Sequence, residues 1–237
     1  MTAGAEPGPD PGESPSAVDG TSTQPDLSLI RRSFEGYRAR IFDLFSDRPT
    51  RAYRVLAVQR LGPQRGSTVV DLGCGTGLSF PYLVQAVGPE GRVIGLDASP
   101  DMLARARRRV QRAGWHNVEL VEAFAHRWRP ERPIDALFAC NVNQLIASPE
   151  VVENALSWLR PGGCLVWTGG KRGRGLGGRL RAAMVRLFVL IGQRERAAGD
   201  WILHPRPWQH LEARLPGLQV EEALDGNAFV AWGKVPG

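Results

Sequence analysis

Apolar residues recur at two different spacings along this chain. Short, nearly unbroken apolar runs at Thr68–Leu72, Arg92–Asp97, Val118–Glu122, Ile134–Ala139 and Cys164–Thr168 predict strands. Helical spacing fills the gaps at Leu78–Ala86, Pro100 to about Arg112 and Pro149–Leu159. Two further helices precede the first strand. One covers Leu27–Phe45, where Leu27, Ile30, Phe34, Tyr37, Ile41, Phe42 and Phe45 keep helical spacing. The other covers Pro49–Leu61, with Pro49 in its first turn. The chain closes with a helix at Trp208–Leu215 and two strands, Leu218–Ala223 and Ala228–Trp232. Ser99-Pro100-Asp101 is a strong helix start: an N-cap serine, proline at the first position and an acid facing the helix dipole.

Strand and helix alternate through the middle of the chain, which predicts a doubly wound α/β sheet. The densest chemistry follows the first strand, at Asp71-Leu72-Gly73-Cys74-Gly75-Thr76-Gly77. Glycines there let the backbone turn sharply and approach a ligand where a Cβ would clash. The next helix then offers its free N–H groups to the ligand's polar end. A second run ends in Asp97, twenty residues after Gly77. An acid at the end of the second strand is where this fold class places the acceptor for ribose hydroxyls.

Asp71-Leu72-Gly73-Cys74-Gly75-Thr76-Gly77 resembles the first motif of class I S-adenosylmethionine-dependent methyltransferases, and Leu159-Arg160-Pro161-Gly162-Gly163 resembles their turn into the fifth strand. The resemblance runs from about Leu27 to Gly233. It implies a seven-stranded Rossmann-like sheet with an antiparallel last strand, and S-adenosylmethionine as cofactor. Asp71 and the backbone of Gly73, Cys74, Gly75 and Gly77 would hold the methionine end. Asp97 would take the ribose, with Ala98 and Met102 near the adenine. The loop after the third strand, Ala123 and Phe124, would read the adenine edge. Phe124 stands where the family usually has an aspartate. Asn141 lies at the cleft beside the cofactor. Tyr37, Asn143, Gln144 and Lys171 are the acceptor-side candidates. The Asn-Pro-Pro-Tyr motif that grips planar nitrogens is absent, which argues against nucleobase or glutamine-amide acceptors. The leading helix has Phe34-Glu35 and Phe42-Asp43 where related enzymes often carry Tyr-Asp pairs. No general base or other catalytic side chain stands out, and His204 has no partner at a telling spacing.

Composition narrows this picture. Residues 1–26 are rich in Pro, Gly, Ser, Thr and acids, and they predict a disordered tail ahead of a 27–237 domain. The formal net charge is +6, a weak pull toward acidic partners. Much of the basic excess falls in one place. Between Lys171 and Arg196 there are eight basic residues and one acid, on a glycine-rich loop and an amphipathic helix at Leu180–Ile191. This insertion, about 171–204, reads as a contact with anionic membrane, as a lid over an anionic substrate, or as a lid helix packed over the cleft with its arginines in water. It tilts the expected acceptor toward a small lipid-like or hydrophobic molecule, similar to those of ubiquinone, menaquinone and phospholipid methyltransferases. A tailoring enzyme of a soluble metabolite and a non-catalytic S-adenosylmethionine-binding protein are the alternatives. Nucleic acid is not an expected partner, because no RNA-binding appendage is recognisable. The three cysteines, Cys74, Cys140 and Cys164, have no metal-ligand spacing and fit a reducing cytoplasm, with peripheral membrane contact left open. Oligomeric state is not legible.

Overall fold

The apolar runs become one seven-stranded sheet in the order β3-β2-β1-β4-β5-β7-β6. The strands are β1 (Thr68–Leu72), β2 (Arg92–Asp97), β3 (Val118–Glu122), β4 (Ile134–Cys140), β5 (Leu159–Gly170), β6 (Gln219–Ala223) and β7 (Ala228–Lys234). The computed structural model describes residues 50–171, 204–224 and 226–237. The tail, the Leu27–Phe45 helix with Tyr37, and nearly all of the basic insertion therefore lie outside the described residues. Among the described residues no helix is long and apolar enough to cross a membrane.

Strands β1 to β5 are parallel. Strand β7 runs antiparallel between β5 and β6. The chain starts in the middle of the sheet, steps outward through β2 to β3, and returns to pair β4 on the other side of β1. That reversal opens a crevice at the carboxyl ends of β1 and β4, the usual ligand position in an open parallel sheet.

Both faces of the sheet are covered, which explains why the central strands are apolar at nearly every position. Helix α1 (residues 50–61), α2 (Phe80–Val87) and α3 (Pro100–Ala113) pack on one face. Tyr53, Ala57, Phe80, Leu83 and Leu103 there meet Val69, Val93, Phe138 and Val166 of the strands. The short α4 (Asn143–Ile146), α5 (Pro149–Leu156) and α6 (Gln209–Glu212) cover the other face, around Val70, Leu72, Leu137, Trp158 and Trp167. Strand alternation thus places Asp71 on the face of Val69, beside α1.

Four elements differ from the sequence expectation. Strand β5 begins at Leu159, because that residue pairs with Ile134 before the register jumps to Ala136 and Cys164. The intervening Arg160–Gly163 turn is a bulge within the pairing rather than a break before it. Helix α5 correspondingly stops at Leu156. The expected Trp208–Leu215 helix shrinks to the single turn of α6. The segment after β4, expected to be a loop, contains α4, whose N-cap is Val142 and has no side-chain cap. A helix start without a polar cap leaves no sequence signal.

Candidate functional site

The strand ends and the glycine turn line a cleft that opens to solvent. Its floor is the turn after β1. The Gly73 and Cys74 N–H groups donate to the Leu96 carbonyl at 2.7 and 3.0 Å, which ties the turn to β2. Gly73 has φ +68°, and a Cβ there would come within 2.4 Å of Val142 Cγ1. Gly75 has φ +55°, with nothing within 4 Å of its Cβ position. The backbone at Gly75 therefore faces open space where a ligand can approach closely.

Asp97 holds the turn and the next helix together. One carboxylate oxygen accepts from the Gly75 N–H and the other from the Ser99 N–H, both at 2.8 Å. Ser99 in turn caps α3 by accepting from the Met102 N–H. Arg109 of α3 donates to the Thr76 carbonyl at 3.0 Å and braces the turn from outside. Burial raises the Asp97 carboxyl above its ordinary range, and the Ser99 and Gly75 N–H groups oppose the shift.

Asp71 is 1 % exposed, and its Oδ2 is buried without a hydrogen-bond partner among the described residues. Burial pushes its pKa up to about 8, the Arg54 guanidinium pulls it down, and Asp97 pushes it further up. A carboxylate held like this favours a cationic partner brought by a ligand. Arg54, only 2 % exposed, lines the same cleft and donates to Thr50 Oγ1 at 2.6 Å. Cys74 and Cys140 also line the cleft. Burial raises the Cys74 thiol well above its ordinary value and pushes Cys140 up to about 12. Both thiols stay protonated at neutral pH and are poor nucleophiles.

The structure brings Asp71, Gly73, Cys74, Gly75, Asp97, Ala98, Met102, Ala123, Phe124, Asn141 and Gln144 into this one cleft. Gly77 is not on its lining; it sits buried against the Phe80 ring. Asn141 adopts φ +60°, which asparagine tolerates better than most residues, and its Oδ1 accepts from the Tyr53 hydroxyl at 2.5 Å. Asn143 turns away from the cleft: it is buried, and its Nδ2 donates to the Gly170 carbonyl at 2.5 Å. Lys171 is also outside the lining. Its ammonium is buried, pairs with Glu222 and lies 5.6 Å from the centre of the Trp208 ring. Sequence reasoning missed Arg54. The signal was present: Arg54, Val58 and Leu61 fall on one stripe of α1, so a cation sits among core positions.

Residues 69–163 match the model of a methyltransferase domain family. The chain is 38% identical over 122 residues to trans-aconitate 2-methyltransferase of Azoarcus sp. (strain BH72), covering 51% of this chain and 46% of the relative. It is 36% identical over 99 residues to demethylmenaquinone methyltransferase of Geobacillus stearothermophilus, covering 40% of this chain and 42% of that one. The chain thus spans less than half the length of these curated relatives. The solved structure of the N-methyltransferase NodS from Bradyrhizobium japonicum, in complex with S-adenosyl-L-homocysteine, superposes with a TM-score of 0.58 at 18% identity. That match covers 89% of this chain and 98% of NodS. The two share the Rossmann-like α/β fold of methyltransferases, which in this chain carries the antiparallel β7 between β5 and β6.

Proposed function

We propose that this chain, whose residues 69–163 match a methyltransferase domain, is an S-adenosylmethionine-dependent methyltransferase acting on a small molecule. The observation that carries the reading is Asp71: a buried carboxylate oxygen without a partner, in the same cleft as the open Gly75 backbone. The residues fit the cofactor along its length. Asp71 suits the amino group of the methionine end. The bare backbone at Gly75 leaves room for the chain that joins it to the nucleoside. Asp97 suits the ribose hydroxyls. The apolar end made by Ala98, Met102 and Phe124 suits a purine.

S-adenosylmethionine, when bound, supplies a methyl group already activated on a sulfonium. The protein's contribution is therefore to bind, align and exclude water. Asp71 orients by charge, the glycine turn by close backbone approach, and Asp97 by its fixed position between the turn and α3. Asn141, on the cleft lining, is held from behind by the buried Tyr53 hydroxyl.

The acceptor is read as small and hydrophobic or lipid-like. Leu78, Val142 and Leu145 along the cleft support this, as does the basic amphipathic pattern of the 171–196 segment. A soluble anionic metabolite is the second reading, and Arg54 favours it, because a buried guanidinium matches a carboxylate. The Azoarcus relative is named for trans-aconitate, which points the same way. Incubating the protein with methyl-labelled S-adenosylmethionine and a host extract, then partitioning products between organic solvent and water, separates the two. Label in the organic phase is the expected result. Label only in water supports the soluble acceptor. No label in either phase, with S-adenosylhomocysteine binding demonstrated, overturns the enzyme reading in favour of a cofactor-binding protein.

A further inference from the structure

We propose that the base end of the cleft recognises its purine as a flat apolar ring and does not read the exocyclic 6-amino group, with Phe124 as the residue that sets this tolerance. The inference rests on the cofactor reading above.

Strand register locates the base end. Asp97 pairs with Glu122 across β2 and β3. If Asp97 takes the ribose, the base lies one step further, against the first turn of α3 and the loop that follows Glu122. Met102, Ala123, Phe124 and Ala125 line the cleft there.

The hydrogen-bonding groups of this loop are largely committed elsewhere. The Ala123 N–H donates to the Asp97 carbonyl at 3.1 Å. The Phe124 carbonyl accepts from the Arg127 and Trp128 N–H groups at 3.0 and 3.1 Å. The Ala125 carbonyl accepts from Asn154 Nδ2 at 2.7 Å. Acidic side chains do not fill the gap. Asp71 and Asp97 are the carboxylates on the described lining, and the cofactor reading gives them to the amino group and the ribose rather than to the base. Glu122 is exposed and is not on the lining. The His126 ring packs 5.6 Å from that of Phe124 and is likewise off the lining. Among the described residues that follow Glu122 on the lining, Ala123, Phe124 and Ala125, an amine on the purine therefore meets an aromatic ring and methyl groups, with no side-chain acceptor. A site that does hydrogen-bond an N–H rejects the analogue lacking it, because its own polar group is left unpaired. A site with no such group has no basis for rejection.

The test is calorimetric binding of two ligands to the full chain. One is S-adenosylhomocysteine; the other is its purine-riboside analogue, with hydrogen in place of the 6-amino group. Dissociation constants within about twofold of each other are expected, short of what a neutral hydrogen bond confers and well short of the tenfold or more of a charged acceptor. Phe124→Asp supplies such an acceptor, and the preference for the amino form should then rise above about tenfold. The Ala123 carbonyl is the loop's remaining acceptor. If it holds the amine, the unaltered protein discriminates by more than about twofold and the proposal fails, whatever the variant does. An unchanged ratio in a folded Phe124→Asp protein removes Phe124 from the role. If neither ligand binds, the cofactor reading fails and takes this inference with it. Binding of the adenosyl form alone sinks only the inference.

Discussion

Asp71 is an acid whose burial works against its charge. Its pKa in the folded chain is about 8, against an ordinary 3.8, with burial as the main cause. The native state therefore keeps a proton that the unfolded chain releases above about pH 4. The stability this contributes is fully present below that pH. It is lost as pH rises toward 8, at about 1.4 kcal/mol per unit for one proton. Ligand-free Asp71→Asn should lack this slope and melt higher than the unaltered protein at pH 8 in thermal scans. A cationic amino group requires the ionised carboxylate. Affinity for S-adenosylhomocysteine should thus rise roughly tenfold per unit from pH 6 to about 8 and then level. Asp71→Asn should lose most of the binding at every pH. A flat pH profile in calorimetry would remove Asp71 from the ligand's amino group. Asp71 and Asp97 were both legible in the sequence, because each ends an apolar run. The fact that Asp97 also accepts two backbone N–H groups was not legible, since it depends on where the turn and α3 meet.

The glycine turn shows how one element carries two separate demands. Gly73 and Gly75 look alike in the motif, and both have positive φ. Their surroundings differ. Alanine at 73 meets Val142 at 2.4 Å and should cost about 2–4 kcal/mol in urea unfolding, from strain and overpacking together. Alanine at 75 meets nothing within 4 Å and should cost only the backbone strain, about 1–2 kcal/mol. Its methyl group would project into cleft space, so binding should suffer far more than stability. Equal stability losses would mean the two glycines share one structural role. Element bounds were legible where the pattern was strong: β1, β2 and β3 begin and end as the apolar runs do. They were obscure where tertiary contact overrode local signals. Strand β5 extends back to Leu159 only because Ile134 lies beside it. Helix α4 forms without a polar cap because its Ile146 is buried in the core.

For the molecule as a whole, the join between β5 and the β6–β7 pair closes the sheet, and Lys171 fastens it. The lysine side chain is 3 % exposed and its partner Glu222 is 41 % exposed. Removing the acid strands a buried ammonium, whereas removing the lysine leaves a carboxylate that water can reach. Glu222→Gln should therefore destabilise more than Lys171→Met, by about 2 against about 1 kcal/mol in urea titrations. The reverse order would mean the ammonium is better solvated than its burial implies. The sequence by itself determined the alternation of strand and helix, the glycine turn, Asp71 near the end of β1, Asp97 at the end of β2, and the absence of an acid at Phe124. Each of these is written in local spacing. The tertiary structure alone decided which polar residues face the cleft. It put Arg54 at the cleft, tied the buried Tyr53 to Asn141, and turned Asn143 and Lys171 into partners of Gly170 and Glu222. Such choices depend on which strand ends and helices meet across the crevice, and contacts between residues far apart in the chain leave no mark in local periodicity.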